Sequence, residues 1–208
     1  MKTEHLKIIF YKKFSKFTDD SAFINETFEE LAKCYQSRER YYHDLTHIVN
    51  LQKLYEEYKP SLMDTDVVFF AIWFHDAVFN TWKKDNEEKS AEMAKDILSK
   101  TNFSPERLQK VVDYILATKT HETNGDDDLS YFLDFDMSIL GSEETIYDIY
   151  TKQISDEYSF YPTFLYNRGR RKVLESFLEK TSIYNTPTFK NLLEQSARAN
   201  IQRELENL

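Results

Sequence analysis

Residues that interrupt helices are scarce in this sequence, which has three glycines and four prolines among 208 residues. Sandwiches, barrels and dinucleotide-binding folds need glycine at their turns and phosphate loops, so this scarcity argues against them. Apolar residues make up 41% of the chain, which is enough to bury a sizeable core. The sequence therefore predicts an all-α fold of long helices joined by short connections.

Apolar residues recur at helical spacing along most of the chain, and capping residues mark several helix starts. The segment 64–79 is apolar on nearly every side, so we expect it to be the buried central helix. We interpret 1–208 as one domain, with a core at about 25–141 and C-terminal helices at about 142–208 packed on it. The predicted helices are 21–36, 44–60, 64–79, 87–100, one that starts at Ser104, about 130–140, 142–160, 162–180 and 187–206, with loops at 81–86 and 121–128.

The charge balance narrows the choice of partners. Lys and Arg number 27 against 36 Asp and Glu, and the net charge of −9 repels nucleic-acid polymers and anionic membranes. The longest apolar run, 67–74, is far shorter than a membrane span. The single Cys34 cannot form an internal disulfide, which is typical of a reducing compartment. We therefore expect a cytoplasmic protein. No heptad pattern is sustained long enough to predict the oligomeric state.

Several histidine and aspartate residues stand among apolar residues or at the ends of apolar segments. An ionised carboxylate is costly to bury at such a place without a partner. A divalent metal ion would offset the negative charge and accept neutral imidazole and carboxylate ligands together. The joint pattern therefore favours a shared cation. The residues concerned are His43 and His47, which are four apart, the doublet His75-Asp76, and the pair Asp134 and Asp136.

Each of these residues also has a structural interpretation. A lone buried histidine is more often a hydrogen-bonded core residue than a metal ligand. His43 and His47 can lie on one solvated helix face, and Asp134 can be the N-cap of the short helix that follows it. Because adjacent helix residues point about 100° apart, His75 and Asp76 can reach one ion only where their helix ends or distorts.

The order of these motifs resembles the HD superfamily of metal-dependent phosphohydrolases. The likeness is greatest to a bacterial subgroup of predicted hydrolases with the pattern R-x-Y-H-x-x-x-H-I, W-F-H-D, N-E-x-x-S-A, T-x-x-H and L-D-x-D-x-S-I-L-G. A histidine followed by aspartate is a weak signal alone, but the ordered set is specific. In this sequence the elements are 40–48, 73–76, 86–91, 118–121 and 133–141, followed by tail elements at 157–158, 169–174 and 197–205.

The resemblance implies an all-α, HD-domain-like bundle around one divalent ion, which can be Mn, Fe, Co, Ni, Zn or Mg. The four ligands implied by position are His47, His75, Asp76 and Asp136. His43 and Asp134 would then orient the ligands or a bound water. Some relatives hold a second metal with histidines at positions that correspond to Asn86 and His121 here. Because asparagine is a poor metal ligand, this departure favours one ion, or a second, weak site that is filled only with substrate.

The resemblance also implies hydrolysis of a small phosphoester, with a nucleotide as one candidate, by attack of metal-activated water. We expect Arg40 to clamp the phosphate, His121 to contact the phosphate or protonate the leaving oxygen, and Glu88 to be a catalytic or ligand-bridging carboxylate. Weaker candidates for the cationic clamp are Lys119, Arg168, Arg170 and Arg171. The alternatives are a catalytically silent metal-binding regulatory module and a purely structural helical protein.

Overall fold

A computed structural model describes residues 3–208. Across these residues the secondary structure consists of ten α-helices and two short 3₁₀ helices, with no strand, so the predicted all-α class is confirmed. The 3₁₀ helices lie at Lys59–Ser61 and Ser138–Gly141. The α-helices are α1 (Thr3–Phe14), α2 (Ser21–Tyr35), α3 (Leu45–Tyr58), α4 (Thr65–Phe74), α5 (Asn86–Leu98), α6 (Pro105–Ala117), α7 (Asp127–Met137), α8 (Glu144–Glu157), α9 (Thr163–Glu179) and α10 (Pro187–Asn207).

The chain divides into two compact units, of which the first ends at Glu122 and the second is Thr123–Leu208. Helices α1 to α6 belong to the first unit and helices α7 to α10 to the second. The boundary falls within the predicted core at about 25–141, and the single domain 1–208 stays a prediction. No helix of residues 3–208 has the length and apolar character that crossing a membrane requires.

Helix α4 is the buried centre of the first unit, as the sequence predicts. Every residue of 67–74 is at most 1% exposed. Aromatic rings pack closely around the indole of Trp73, with the Phe10 centroid at 4.9 Å and the Phe28 centroid at 5.8 Å. Such large apolar side chains supply most of the burial that stabilises a helical unit.

Helix α1 is absent from the predicted helices. Its apolar residues Leu6, Phe10 and Phe14 are spaced four apart among lysines, which gives a narrow stripe rather than a broad apolar face. These three residues are nevertheless fully buried. Contacts with α2 and α4 stabilise α1, and those contacts cannot be read from the local sequence.

Three predicted helix starts are confirmed by side-chain caps that accept backbone N–H groups, namely Asp44 at α3, Asp64 at α4 and Ser104 at α6. Helix α4, however, ends at Phe74 rather than continuing to position 79. The carbonyl oxygens of Asp76 and Ala77 accept hydrogen bonds from the Arg40 guanidinium instead of from a further helical turn. The helix therefore stops immediately before the His75-Asp76 doublet.

In the second unit, the 3₁₀ helix Ser138–Gly141 packs closely against α10. The Asn200 side chain on α10 donates hydrogen bonds to the carbonyl oxygens of Leu140 at 3.0 Å and Ser142 at 2.8 Å. Gly141 permits this approach, because a Cβ atom there would lie 2.6 Å from the Cβ of Leu193. The predicted C-cap at Gly141 is wrong, because α7 ends at Met137 and Gly141 is the last residue of the 3₁₀ helix, whose C-cap is Ser142. The role of Gly141 is close packing against α10.

We expect alanine substitutions at two glycines of the second unit, Gly141 and Gly169, to change the free energy of unfolding in opposite directions. We expect Gly141→Ala to lower the free energy of unfolding by about 1–3 kcal/mol through overpacking against α10. Gly169 lies within α9, where an added Cβ would meet no neighbouring atom within 4 Å, so Gly169→Ala should raise that free energy by up to about 1 kcal/mol. Urea denaturation of both variants checks this, and a neutral effect of Gly141→Ala would contradict the packing.

Charged side chains join α1, α4 and α6 at the start of α4. Lys13 Nζ lies 2.5 Å from Asp66 Oδ1, and Arg107 Nη2 lies 3.0 Å from Asp66 Oδ2. Arg107 also makes a two-pronged contact with Asp64 at 2.6 and 2.7 Å. Burial raises the pKa of Asp66, but the hydrogen bonds from Lys13 and Arg107 outweigh it and lower the pKa to about 2.

This lowered pKa predicts a loss of stability in acid. Since the folded pKa lies below the unfolded value of 3.8, Asp66 contributes stability above that pH, and the contribution is lost as the pH falls towards about 2. Asp66→Asn should cost about 2 kcal/mol at pH 7 and should flatten the acid part of the stability curve. Urea denaturation between pH 7 and pH 2 measures both, with the exposed Asp113→Asn as control. Identical pH profiles for Asp66→Asn and the unsubstituted protein would contradict the assignment.

Candidate metal centre

His75 stands at the C-terminal end of α4 with its imidazole 1% exposed. Its Nδ1 lies 2.9 Å from the carbonyl oxygen of Ile72. A carbonyl oxygen can only accept, so Nδ1 carries the proton of this hydrogen bond. In the neutral imidazole Nε2 therefore presents a lone pair, which is the form that binds a metal.

Three side chains of the first unit converge at this nitrogen. His75 Nε2 lies 3.2 Å from His47 Nε2 and 3.0 Å from Asp76 Oδ2. His47 Nε2 lies 3.9 Å from the same oxygen. His47 occupies the first turn of α3 and is buried, while Asp76 follows the end of α4 and is half-buried. The end of α4 thus provides the condition under which the adjacent residues His75 and Asp76 can reach one point.

The donor atoms of this cluster fit a cation. A neutral imidazole nitrogen and a carboxylate oxygen 3.0 Å apart both present lone pairs, so a proton or a metal ion must lie between them. Two ligands at about 2.1 Å from one ion, at tetrahedral or octahedral angles, are about 3.0–3.4 Å apart. Both the 3.0 Å and the 3.2 Å separations fall in that range. Imidazole and carboxylate together suit first-row divalent metals.

Asp136 is the remaining predicted ligand, and it lies half-buried in the last turn of α7. Asp136 belongs to the second unit, so its place in the ligand set stays a prediction. The buried His47 and His75 of the first unit each offer an imidazole nitrogen that can hold a metal ion. The identity of the ion and the complete ligand set stay predictions.

His43 precedes α3 and its N-cap Asp44, so the interpretation that His43 and His47 share one solvated helix face is wrong. The His43 ring is half-buried, with its centroid 4.5 Å from the Phe79 ring and 6.0 Å from the His47 ring. This places His43 next to a candidate ligand. Its predicted role in orienting a ligand or water stays a prediction.

Arg40 lies among main-chain carbonyl groups. Its Nη1 donates to the carbonyl oxygens of His43 at 3.1 Å and Asp76 at 2.6 Å, and its Nη2 donates to that of Ala77 at 2.9 Å. The guanidinium carbon lies 5.1 Å from the centroid of the Tyr35 ring and 5.3 Å from that of Phe79. These contacts give Arg40 a structural role. Its predicted contact with a phosphate group stays a prediction.

Tyr35 and Phe79 are two residues of this region that sequence reasoning missed. The hydroxyl of Tyr35 donates to the carbonyl oxygen of Trp73 at 3.0 Å, close to the end of α4. Burial, together with the charge of Asp76, raises the pKa of Tyr35 well above its ordinary value. Their aromatic side chains resemble the many others of the core, so no sequence signal separates them.

Glu88 and Lys119, both named as candidates, form an ion pair with each other. Lys119 also donates to the carbonyl oxygen of Lys84 at 3.1 Å. The hydrogen bond from Lys119 lowers the pKa of Glu88 and keeps its carboxylate ionised. Asn86 at the start of α5 uses its side-chain amide on the backbone of Asn80, at 3.0 and 3.1 Å. That amide holds the loop before α5, and the number of metal ions stays a prediction.

His121 follows α6 and has a positive φ of 53°. It is half-buried, and its backbone N–H donates to the carbonyl oxygen of Ala117 at 2.8 Å. A left-handed conformation costs a residue with a Cβ about 1–2 kcal/mol, and histidine adopts it more often than most residues. The proposed contact of His121 with a phosphate or a leaving oxygen stays a prediction.

Asp134 is fully buried within α7, whose N-cap is Asp126, so the interpretation of Asp134 as a helix N-cap is wrong. Its two oxygens accept hydrogen bonds from the backbone and side chain of Asn185, at 2.7 and 3.2 Å, and of Thr186, both at 2.7 Å. Burial raises the pKa of Asp134, although these hydrogen bonds oppose the shift. The carboxylate fastens the segment that begins α10, and its predicted place beside a metal stays a prediction.

The arginines of the tail elements differ in their surroundings. Arg170 is nearly buried and pairs with Glu204, Nε to Oε1 at 2.7 Å, which joins the elements 169–174 and 197–205. Arg171 donates to the carbonyl oxygen of Leu205 at 3.2 Å, and Arg168 is exposed. Arg170 therefore has a stabilising role within the second unit.

Comparison with known proteins identified no matching family model, no similar curated protein and no similar solved structure.

The cluster predicts that Asp76→Ala loses metal affinity while the helices persist. Removing one ligand should weaken binding of Co²⁺ or Mn²⁺ by more than the roughly 10- to 100-fold that loss of an outer partner costs. Equilibrium dialysis with elemental analysis measures the bound ion, and circular dichroism measures the helices. Asp96→Ala, at an exposed position of α5, is the matched control and should bind like the unsubstituted protein. Full occupancy in Asp76→Ala would rule this residue out as a ligand.

Proposed function

We propose that this protein is a metal-dependent phosphohydrolase that acts on a small phosphoester. The single observation that supports it most is the position of His75 Nε2, which lies 3.2 Å from His47 Nε2 and 3.0 Å from Asp76 Oδ2. The hydrogen bond of His75 Nδ1 to Ile72 leaves Nε2 as the nitrogen for a ligand. The motif resemblance suggests phosphoryl chemistry for such a site.

The proposed ligand set is His47, His75, Asp76 and Asp136, holding one divalent ion. Manganese, iron, cobalt, nickel, zinc and magnesium are all compatible with two imidazoles and two carboxylates. Such an ion would lower the pKa of a bound water from about 15.7 towards about 7 and would neutralise charge on phosphoryl oxygens. Four protein ligands leave positions open for water and substrate on an ion that prefers six.

Further side chains have proposed roles in moving protons and binding the substrate. His43, half-buried beside His47, would orient a ligand or accept a proton from water. His121 would contact the phosphate or protonate the leaving oxygen. Glu88, ionised in its pair with Lys119, would act as a carboxylate base, while Lys119 is the cation nearest to it.

The substrate is proposed to be small because of the charge of the chain. A net charge of −9 disfavours polymers with many phosphates, whereas one phosphoryl group can be attracted locally by the ion. A nucleotide is one candidate. A cytoplasmic location, expected from the single cysteine, is part of this proposal.

A second candidate is a metal-binding regulatory module without turnover. This candidate is favoured because three of the cations expected to bind phosphate already have partners within the chain. Arg40 donates to three carbonyl oxygens, Lys119 pairs with Glu88, and Arg170 pairs with Glu204. A protein that only binds a metal requires no cation for a phosphoryl group.

A panel of small phosphoesters, tested with metal-stripped protein after addition of Mn²⁺, Ni²⁺, Co²⁺ or Mg²⁺, separates the two candidates. We expect turnover with at least one metal, and its loss in Asp76→Ala. His43→Ala should lower kcat more than it weakens metal binding, because His43 is proposed to lie beside the ligands. Metal binding without turnover of any ester would favour the regulatory module. Failure to bind any metal would contradict both.

A further inference from the structure

We propose that Arg40 is a positioning residue of the metal centre. Its guanidinium would hold the turn that carries Asp76 against the segment that carries His43 and leads into His47. This inference rests on the proposed metal site, and it assigns Arg40 a role other than the expected phosphate clamp.

The hydrogen bonds of Arg40 join two segments that are far apart in sequence. One acceptor is the carbonyl oxygen of His43, which lies before α3. The other two are the carbonyl oxygens of Asp76 and Ala77, which follow α4. The carboxylate of Asp76 and the carbonyl that Arg40 binds belong to the same residue. A shift of this backbone would therefore move a candidate ligand.

The guanidinium is poorly placed to receive a phosphate. Arg40 is 8% exposed, and the rings of Tyr35 and Phe79 lie near its guanidinium carbon at 5.1 and 5.3 Å. Of its five N–H donors, three are used by carbonyl oxygens. Nε is buried and has no hydrogen-bond partner among the described residues. Its charge is thus directed at the main chain rather than at solvent.

Burying a cation is costly unless dipoles compensate it. Here three carbonyl dipoles and two aromatic rings compensate the charge of Arg40. The guanidinium also donates hydrogen bonds of 2.6 and 2.9 Å to carbonyl oxygens of the turn after α4. These carbonyl groups lie beyond the end of the helix. A neutral side chain at position 40 would remove these donors. The turn would then relax, and small displacements of a ligand weaken a metal site strongly.

Titration of metal-stripped protein with Co²⁺, followed by its visible absorption, tests the proposal. Both Arg40→Met and Arg40→Lys should weaken Co²⁺ binding by about 10- to 100-fold and alter the absorption band. Lysine keeps the charge but lacks the planar guanidinium that donates to several carbonyl groups at once. Arg40→Lys should therefore bind Co²⁺ more tightly than Arg40→Met but less tightly than the unsubstituted protein. Because Arg40→Lys retains a cation, it also decides the question if Arg40→Met does not fold.

Arg107→Met is the matched control. Arg107 also belongs to the first unit and is held by hydrogen bonds, but it contacts Asp64 and Asp66 at the opposite end of α4. Ten helical residues span about 15 Å, so its loss should lower Tm without changing Co²⁺ affinity or the absorption band. A change of affinity by Arg40 variants beyond that of Arg107→Met supports positioning.

The outcomes are distinguishable. Unchanged Co²⁺ affinity and absorption in both Arg40 variants would overturn the positioning role while leaving the metal site intact. A rise in KM for a phosphoester with unchanged Co²⁺ binding would also overturn it and would favour the phosphate clamp. Absence of Co²⁺ binding in the unsubstituted protein would contradict the proposed function itself, and the positioning role with it.

Discussion

Helix α4 is buried on every side, and the place where it ends governs the geometry of the candidate site. The helix stops at Phe74, and the next turn directs its carbonyl oxygens to Arg40 instead of to later N–H groups of the same helix. His75 is thereby held by its hydrogen bond to Ile72, and Asp76 leaves the helical path. Two adjacent residues can then direct their side chains to one point, which a continuous helix would not allow.

In each unit, several buried polar groups are held by specific partners. In the first unit the Arg40 guanidinium donates hydrogen bonds to carbonyl oxygens beside the candidate ligands. Salt bridges from Lys13 to Asp66 and from Arg107 to Asp64 stabilise the start of α4. In the second unit the carboxylate of Asp134 receives four hydrogen bonds from residues 185–186, and Arg170 pairs with Glu204. Because each such group is costly to bury alone, these partners restrict the packing of the helices more narrowly than apolar contacts do.

The same partners bear on function. A polar residue within a motif can serve the fold, the metal or the substrate, and only its contacts separate these roles. His47, His75 and Asp76 point their ligand atoms towards one another, which has no structural explanation without a proton or a metal between them. Asp134, by contrast, has its hydrogen-bonding capacity used by the start of α10. The chemistry of the protein is therefore best sought at the end of α4.

The sequence by itself determined the helical class, the starts of α3, α4 and α6, and the burial of α4. These features depend on interactions between residues a few positions apart, such as side-chain caps and helical periodicity. Only the tertiary structure decided that α1 forms, that α4 ends at Phe74, that Glu88 pairs with Lys119, and that Asp134 holds residues 185–186. In each case the deciding partner is distant along the chain, as Arg40 is from Asp76 by 36 positions, and local sequence carries no record of such a contact.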